Sequence, residues 1–153
     1  MTELLNRVCE LQSSSGLWLQ VIDQPQLDGN YEESSASAML SYALMKAARL
    51  GIGTQYWKVG RKALAGLEKL VVHGDASGSP AMTQLCEVAG LGGFESRERN
   101  GTAEYYISEK VVADDVKGVG PLMMSVAEYK RSKHDYEQID LLQPADAREE
   151  EHG

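Results

Sequence analysis

Apolar side chains recur every three or four residues in four stretches of this sequence, which is the spacing of one helix face. The stretches are residues 3–13, 34–50, 54–72 and 118–132. The second and third are joined only by Gly51-Ile52-Gly53, so we predict that these two helices lie antiparallel as a hairpin. The pattern indicates a mainly α protein with short β pieces in its loops.

The stretch 34–50 begins with five small residues, Ser34 to Ala38, before its first large apolar side chain. Small side chains at a helix start allow another helix or a ligand to come close. The predicted apolar face comprises Ala36, Met39, Leu40, Ala43, Leu44, Ala47 and Leu50. A helix that is apolar over more than half its circumference should be covered on several sides. Ser34 or Ser35 is the predicted N-cap, and Thr54 is that of the next helix.

The chain between these helices contains turn-forming and polar residues. We predict extended pieces at residues 17–23 and 81–90, followed by a long loop or hairpin with Asn100-Gly101 as its turn. The sequence becomes polar after Ser132. We therefore predict one domain over residues 1–132 and a polar, flexible tail over residues 133–153.

A weak internal repeat relates the two halves of the helical region. A helix, a Ser/Gly turn, a short extended piece, a loop and a second helix occur at residues 3–50 and again at 54–132. The period is roughly 65 residues, without strong identity between the units. Repeated helix pairs predict a helical array or a toroid.

Charge and cysteine usage narrow the classes of function. The formal net charge of −8 disfavours nucleic acid and an anionic membrane as partners. Cys9 and Cys86 have no CxxC neighbour, and the three histidines are scattered, so we expect free thiols, no metal site and no cofactor. No apolar run has the length of a membrane span, and residues 1–12 form an amphipathic pattern unlike a signal peptide. We therefore expect a cytoplasmic protein.

Acidic pairs and a glycine-rich turn are candidates for chemistry. Glu32-Glu33 and Asp114-Asp115 flank loops, but adjacent carboxylates rarely converge on one bond, and Glu33 also suits the N-terminal end of a helix. The segment KGVGP, which begins at Lys117, precedes a helix. It is either an anion cradle or a tight turn into that helix. The loop aromatics Trp18, Tyr31, Tyr105 and Tyr106 suit either stacking on sugars or filling the core.

Five separated motifs, in this order, resemble one enzyme family. They are GLWLQVIDQP, GNYEESSASAMLSYALMKAARLGI, VAGLGG, EYYISE and KGVGP. They resemble the C-terminal part of family 105 glycoside hydrolases, the unsaturated rhamnogalacturonyl hydrolases, which are related to the family 88 unsaturated glucuronyl hydrolases. Tyr31, Glu33, Ser35, Ser37, Ala38 and Met39 fit the family's Y-x-E-x-S-x-S-A-M stretch position by position.

The resemblance implies an incomplete (α/α)6 barrel in which this chain supplies about four helices, arranged as helix hairpins. In that fold the small residues at the start of 34–50 permit inner helices to crowd together. The family removes the unsaturated uronic acid that a lyase leaves on an oligosaccharide, with an aspartate as acid and no metal. Its catalytic aspartates lie in an N-terminal half that this chain does not match, so we assign no catalytic residue here.

Two hypotheses follow from the resemblance. The chain is either a portion of such a hydrolase acting in pectin breakdown, or an inactive remnant that self-associates or binds sugar. Loops before inner helices line the family's pocket, so the expected substrate contacts are Trp18, Tyr31, Glu33, Lys117 and Gly118. The expected partners are an unsaturated uronic acid oligosaccharide and either a second copy, forming a homodimer, or the missing N-terminal half.

Overall fold

The computed structural model describes residues 1–73, 79–94 and 97–142, and those residues contain five helices and six short strands. The helices are α1 (Thr2–Glu10), α2 (Ser34–Arg49), α3 (Gln55–Glu68), α4 (Ala103–Ser108) and α5 (Val116–Leu142). The strands are β1 (Val71–His73), β2 (Pro80–Met82), β3 (Leu85–Cys86), β4 (Gly92–Phe94), β5 (Arg97–Arg99) and β6 (Val111–Val112). They pair antiparallel as β1–β2, β3–β6 and β4–β5. The prediction of a mainly helical fold is confirmed.

Helices α2 and α5 lie side by side and parallel. The hydroxyl oxygens of Ser41 and Ser125 are 2.6 Å apart, and further along both helices Arg49 donates hydrogen bonds to Glu128. Contacts therefore advance in the same direction along the two helices. As a consequence, the N-terminal ends of α2 and α5 are at the same end of the molecule.

Helix α3 packs antiparallel to α2 at very short range. The hydroxyl of Ser41 donates to the carbonyl oxygen of Gly60 over 2.8 Å. A methyl group at Gly60 would lie 2.8 Å from the Ser41 carbonyl oxygen and 2.7 Å from Cγ of Met45. Such distances are below van der Waals contact, so this crossing requires a glycine. The antiparallel hairpin predicted from the short connection is confirmed.

Two tryptophans are at the centre of the hydrophobic core. Trp18 and Trp57 are fully buried among residues of α2 and α3 that include Leu44. The ring of Trp57 stacks on that of Tyr136, with centroids 5.3 Å apart, and its Nε1–H donates to the hydroxyl of Ser132 over 3.1 Å. These contacts hold α5 against α3 beyond position 132. Helix α5 therefore continues to Leu142, through residues that we predicted to belong to the polar tail.

The buried face of α2 differs from the predicted one. Its serines are buried, because their hydroxyls have partners: Ser37 accepts from the backbone N–H of Trp18 over 3.0 Å, and Ser41 contacts both α3 and α5. Four members of the predicted apolar face are instead exposed, namely Ala36, Met39, Ala43 and Leu50. The small residues thus allow neighbouring helices to approach, and one apolar side of α2 is left uncovered within the described residues.

One local prediction was wrong, and one short helix was not predicted. Strands β4 and β5 pair with Phe94 opposite Arg97, so Asn100-Gly101 follows β5 and is not the turn of this hairpin. The side chain of Asn100 instead accepts a hydrogen bond from the backbone N–H of Thr102 over 3.0 Å. This contact lies just before the short helix α4, which we did not predict.

The predicted acidic tail beyond residue 142 lies outside the described residues. Among the described helices, none combines the length and apolar character needed to cross a membrane.

Candidate functional site

The candidate site is at the common N-terminal end of α2 and α5. The extended piece before α2 forms an isolated antiparallel bridge between Leu19 and Glu32, which places Tyr31 and Glu33 at this end. Strand β3 pairs with β6 just before α5 begins. Loop residues that are far apart in the sequence therefore meet here because the two helices are parallel neighbours.

Glu33 is the N-cap of α2, and its carboxylate is only 2% exposed. Its Oε2 accepts the backbone N–H of Ala36 over 2.6 Å, and its Oε1 accepts the backbone N–H of Cys86 over 3.0 Å. The hydroxyl of Ser35 lies 2.8 and 2.9 Å from the two oxygens. One carboxylate therefore caps α2 and also holds β3 to it by a hydrogen bond. The predicted N-caps Ser34 and Ser35 are corrected to Glu33.

Tyr31 and Cys86 are neighbours beside this carboxylate. Burial raises the pKa of the Tyr31 phenol and also raises the pKa of the Cys86 thiol, so both groups are neutral at pH 7. The Tyr31 hydroxyl oxygen is buried beside the Cys86 thiol. The thiol accepts from the amide of Gln20 over 3.3 Å and donates to the carbonyl oxygen of Val88 over 3.1 Å.

Lys117 and Gly118 form a tight first turn of α5. The ammonium group of Lys117 donates to the carboxylate of Asp115 over 2.6 Å and to the carbonyl oxygen of Glu87 over 2.9 Å. Hydrogen bonds from Lys117 hold the pKa of Asp115 below its ordinary value. Gly118 is buried against Leu85, where a methyl group would lie 2.0 Å from Cδ2. Asp115 also accepts the backbone N–H of Lys117 over 2.9 Å, so its carboxylate occupies this helix end as that of Glu33 occupies the end of α2, and an incoming anion would have to displace it.

Four of the five predicted substrate residues surround the segment from Leu85 to Glu87. Tyr31 and Glu33 contact Cys86, whereas Lys117 contacts Glu87 and Gly118 contacts Leu85. Their role in substrate binding stays a prediction.

Trp18 is placed differently. Its side chain is fully buried and donates from Nε1 to the carbonyl oxygen of Val8 over 2.8 Å. Only its backbone reaches the site, where its carbonyl oxygen accepts the N–H of Glu33 over 2.9 Å. The indole therefore fills the core, which was one of the two interpretations open for loop aromatics.

Sequence reasoning missed Gln20, Cys86 and Glu87. The sequence shows Cys86 only as a free thiol, and nothing in the spacing connects it with Tyr31, because the two are brought together by β3. No group of His, Cys, Asp and Glu within the described ranges has the arrangement of a metal site.

The family model for Glycosyl Hydrolase Family 88 matches residues 1–133. The chain belongs to this family. Two relatives are each 48% identical over 130 residues: Protein Atu3128 of Agrobacterium fabrum and the 24.9 kDa protein in picA locus of Rhizobium radiobacter. The match covers 82% of this chain and 56% of each relative, so the chain spans about half the length of these relatives.

Solved structures described as family 105 glycoside hydrolases share the fold of this chain. A glycoside hydrolase from family 105 of C. acetobutylicum superposes with a TM-score of 0.75 at 34% identity, over 83% of this chain and 35% of the other. A possible family 105 member from Klebsiella pneumoniae gives a TM-score of 0.66 at 25% identity, over 84% of this chain and 30% of the other. This family 88 chain is therefore part of an (α/α)6 barrel, and only part of the barrel is present.

Proposed function

We propose that this family 88 chain is the C-terminal portion of a cytoplasmic glycoside hydrolase that removes unsaturated uronic acid from pectin-derived rhamnogalacturonan oligosaccharides. The observation that carries the proposal is the meeting of the Tyr31–Glu33 loop and the Lys117 turn at one end of two parallel barrel helices. In this proposal α2 and α5 are neighbours in the inner ring, and their N-terminal loops form one wall of the substrate pocket.

This portion supplies binding groups rather than the acid. A general acid must hold a proton near neutral pH and must reach the substrate. The carboxylate of Glu33 is buried and shared among three donor residues of the chain itself. The pKa of Asp115 is lowered by Lys117, which is opposite to what proton donation requires. Among the residues of this site, Lys117 is best suited to bind the carboxylate of a uronic acid. Its ammonium group would then give up its hydrogen bond to Asp115 or to Glu87.

The test compares the chain alone with a completed barrel. The assay follows the loss of the double bond's ultraviolet absorbance in an unsaturated galacturonyl-rhamnose disaccharide. We expect no turnover by the pure chain. We expect turnover by a chimera in which residues 1–133 replace the matching part of the C. acetobutylicum family 105 enzyme, with the parent enzyme as positive control.

A matched pair of chimeras then tests whether the N-terminal end of α5 binds the substrate. Lys117→Ala should raise KM several-fold with a smaller change in kcat, since the residue would bind rather than react. Lys130→Ala, on the exposed part of α5, is the control and should leave both constants unchanged. Turnover by the isolated chain would contradict the proposal, as would a Lys117→Ala chimera that is kinetically identical to its parent.

The alternative function is a small inactive domain that self-associates or binds sugar. The uncovered apolar side of α2 favours it. Titration with a uronic acid sugar, observed at the amide signals of Lys117 and Gly118, tests sugar binding without any need for turnover. Shifts confined to another surface would refute the placement of the site in both functions.

A further inference from the structure

One side of α2 carries an uncovered row of side chains at regular spacing. Ala36, Met39, Ala43, Lys46 and Leu50 follow one another at intervals of three, four, three and four residues. Met39 is 46% exposed and Leu50 is 61% exposed. This interval pattern is that of a helix seam that packs against another helix. We call these five residues the α2 seam.

The uncovered surface continues onto α5. Met123 is 68% exposed and Met124 is 47% exposed. Met124 and Ala127 line an open groove together with Tyr42, which lies one turn before Lys46 on α2. Glu128 and Arg131 complete the lining of this groove, so the uncovered surface is two helices wide and carries charged residues along its α5 side.

We propose that a second copy of this chain covers this surface, with the two α2 helices antiparallel about a two-fold axis at Ala43. In that register Ala43 meets its own copy and Leu50 meets Ala36, while Met39 lies one residue, or about 1.5 Å, along the helix from Lys46 of the other copy. Each large side chain of the α2 seam then opposes a small one or a flexible methylene stem. The sequence of the seam is self-complementary in size, as a two-fold interface requires.

Charge favours the antiparallel register over the parallel one. A parallel pairing would place each Lys46 directly opposite its copy, which is destabilising. In the antiparallel register the two lysines are six residues apart along the helix direction, or about 9 Å. Each ammonium group can then reach water while its stem covers the Met39 of the other copy.

The available area suits a dimer of moderate affinity. Helix α2 has 16 residues, so it is about 24 Å long, and two neighbouring helices make a surface about 20 Å wide. The footprint is about 500 Å2 on each copy, or about 1,000 Å2 in total, which reaches the lower limit of specific interfaces. We therefore expect dissociation in the micromolar range.

The first experiment measures mass against concentration. Light scattering on the full chain, from about 1 to about 200 µM, should show a rise from 16.7 kDa towards twice that value. Ala43→Glu should raise the dissociation constant at least about tenfold, because the two-fold axis would bring two carboxylates together in the interface. Leu4→Glu is the matched control, since Leu4 is 66% exposed on α1, and should dimerise as the original chain does. Circular dichroism confirms that each variant is folded.

The second experiment tests the register. In a Cys9→Ser background, Ala43→Cys should form an intermolecular disulfide on mild oxidation, because the axis brings these positions within bonding reach. Ala65→Cys, on the exposed side of α3, is the control and should not cross-link. The proposal is overturned by a strictly monomeric chain over the whole concentration range, by a dimer that Ala43→Glu leaves unchanged, or by cross-linking at position 65 in preference to 43. A monomer that binds the separately produced remainder of a family 105 barrel would also overturn it, in favour of that partner.

Discussion

Replacing Glu33 by Gln removes the charge that holds the end of α2 and strand β3 together. The change keeps the size of the side chain but turns one acceptor oxygen into an NH2 group. In the structure the two oxygens accept separate backbone N–H groups, from Ala36 and from Cys86. A glutamine can accept only one of these and presents a donor to the other.

The expected loss of stability is worked from these contacts. Leaving one buried backbone donor without a partner costs about 1–3 kcal/mol. Losing the negative charge at the helix N-terminus costs about 0.3–1 kcal/mol more. We therefore expect Glu33→Gln to lower the free energy of unfolding by about 1–4 kcal/mol, because Glu33 is almost fully buried and water cannot replace its contacts.

Urea denaturation of the two proteins at pH 7 checks this value. The midpoint should fall while the slope m is unchanged, and the melting temperature should drop by about 3–15 °C. Glu104→Gln is the matched control, because Glu104 is exposed in the first turn of α4, and it should stay within about 0.5 kcal/mol of the original chain. Equal stabilities of the two variants would show that the Glu33 carboxylate does not hold α2 and β3 together.

Two further predictions concern α3 and α5. Gly60→Ala should lower the free energy of unfolding by about 1–3 kcal/mol in urea denaturation, because the new methyl group would collide with Ser41. Gly120→Ala, where nothing lies within 4 Å, should instead be neutral or stabilise by up to about 1 kcal/mol, and equal effects of the two changes would contradict the close helix crossing. Because Lys117 lowers the pKa of Asp115 in the folded chain, the stability from this contact is complete above the unfolded pKa of about 4 and is lost as the pH falls through the lower folded value. The stability difference between the original chain and Lys117→Met should therefore shrink from pH 6 to pH 2, and a difference that is constant with pH would refute the ion pair.

The helices were predictable because their signals are local. Apolar spacing located four of the five described helices, and the short link at Gly51–Gly53 set the antiparallel hairpin of α2 and α3. The family was also readable from the sequence, because Y-x-E-x-S-x-S-A-M is a contiguous stretch. Helix α4 was missed because it has only six residues, too few for a periodic pattern to emerge.

The candidate site was predictable only as a set of loop residues near helix starts. Tyr31, Glu33 and Lys117 were named from their positions relative to α2 and α5, and the parallel packing of those helices brings them together. Cys86 could not be named with them. Its place beside Tyr31 is set by the pairing of β3 with β6, which depends on residues about 25 positions apart.

The sequence by itself determined where the helices form, which residues are small, and which family the chain belongs to. The tertiary structure alone decided which sides of those helices are covered. Hydrophobicity predicted that Met39 would be buried and gave no sign that Ser37 and Ser41 would be, yet the serines are buried and Met39 is exposed. The reason is that a hydroxyl with a hydrogen-bond partner can be buried at a close helix crossing where a larger apolar side chain does not fit. The partners of these hydroxyls, at Trp18, Gly60 and Ser125, are supplied by other parts of the chain.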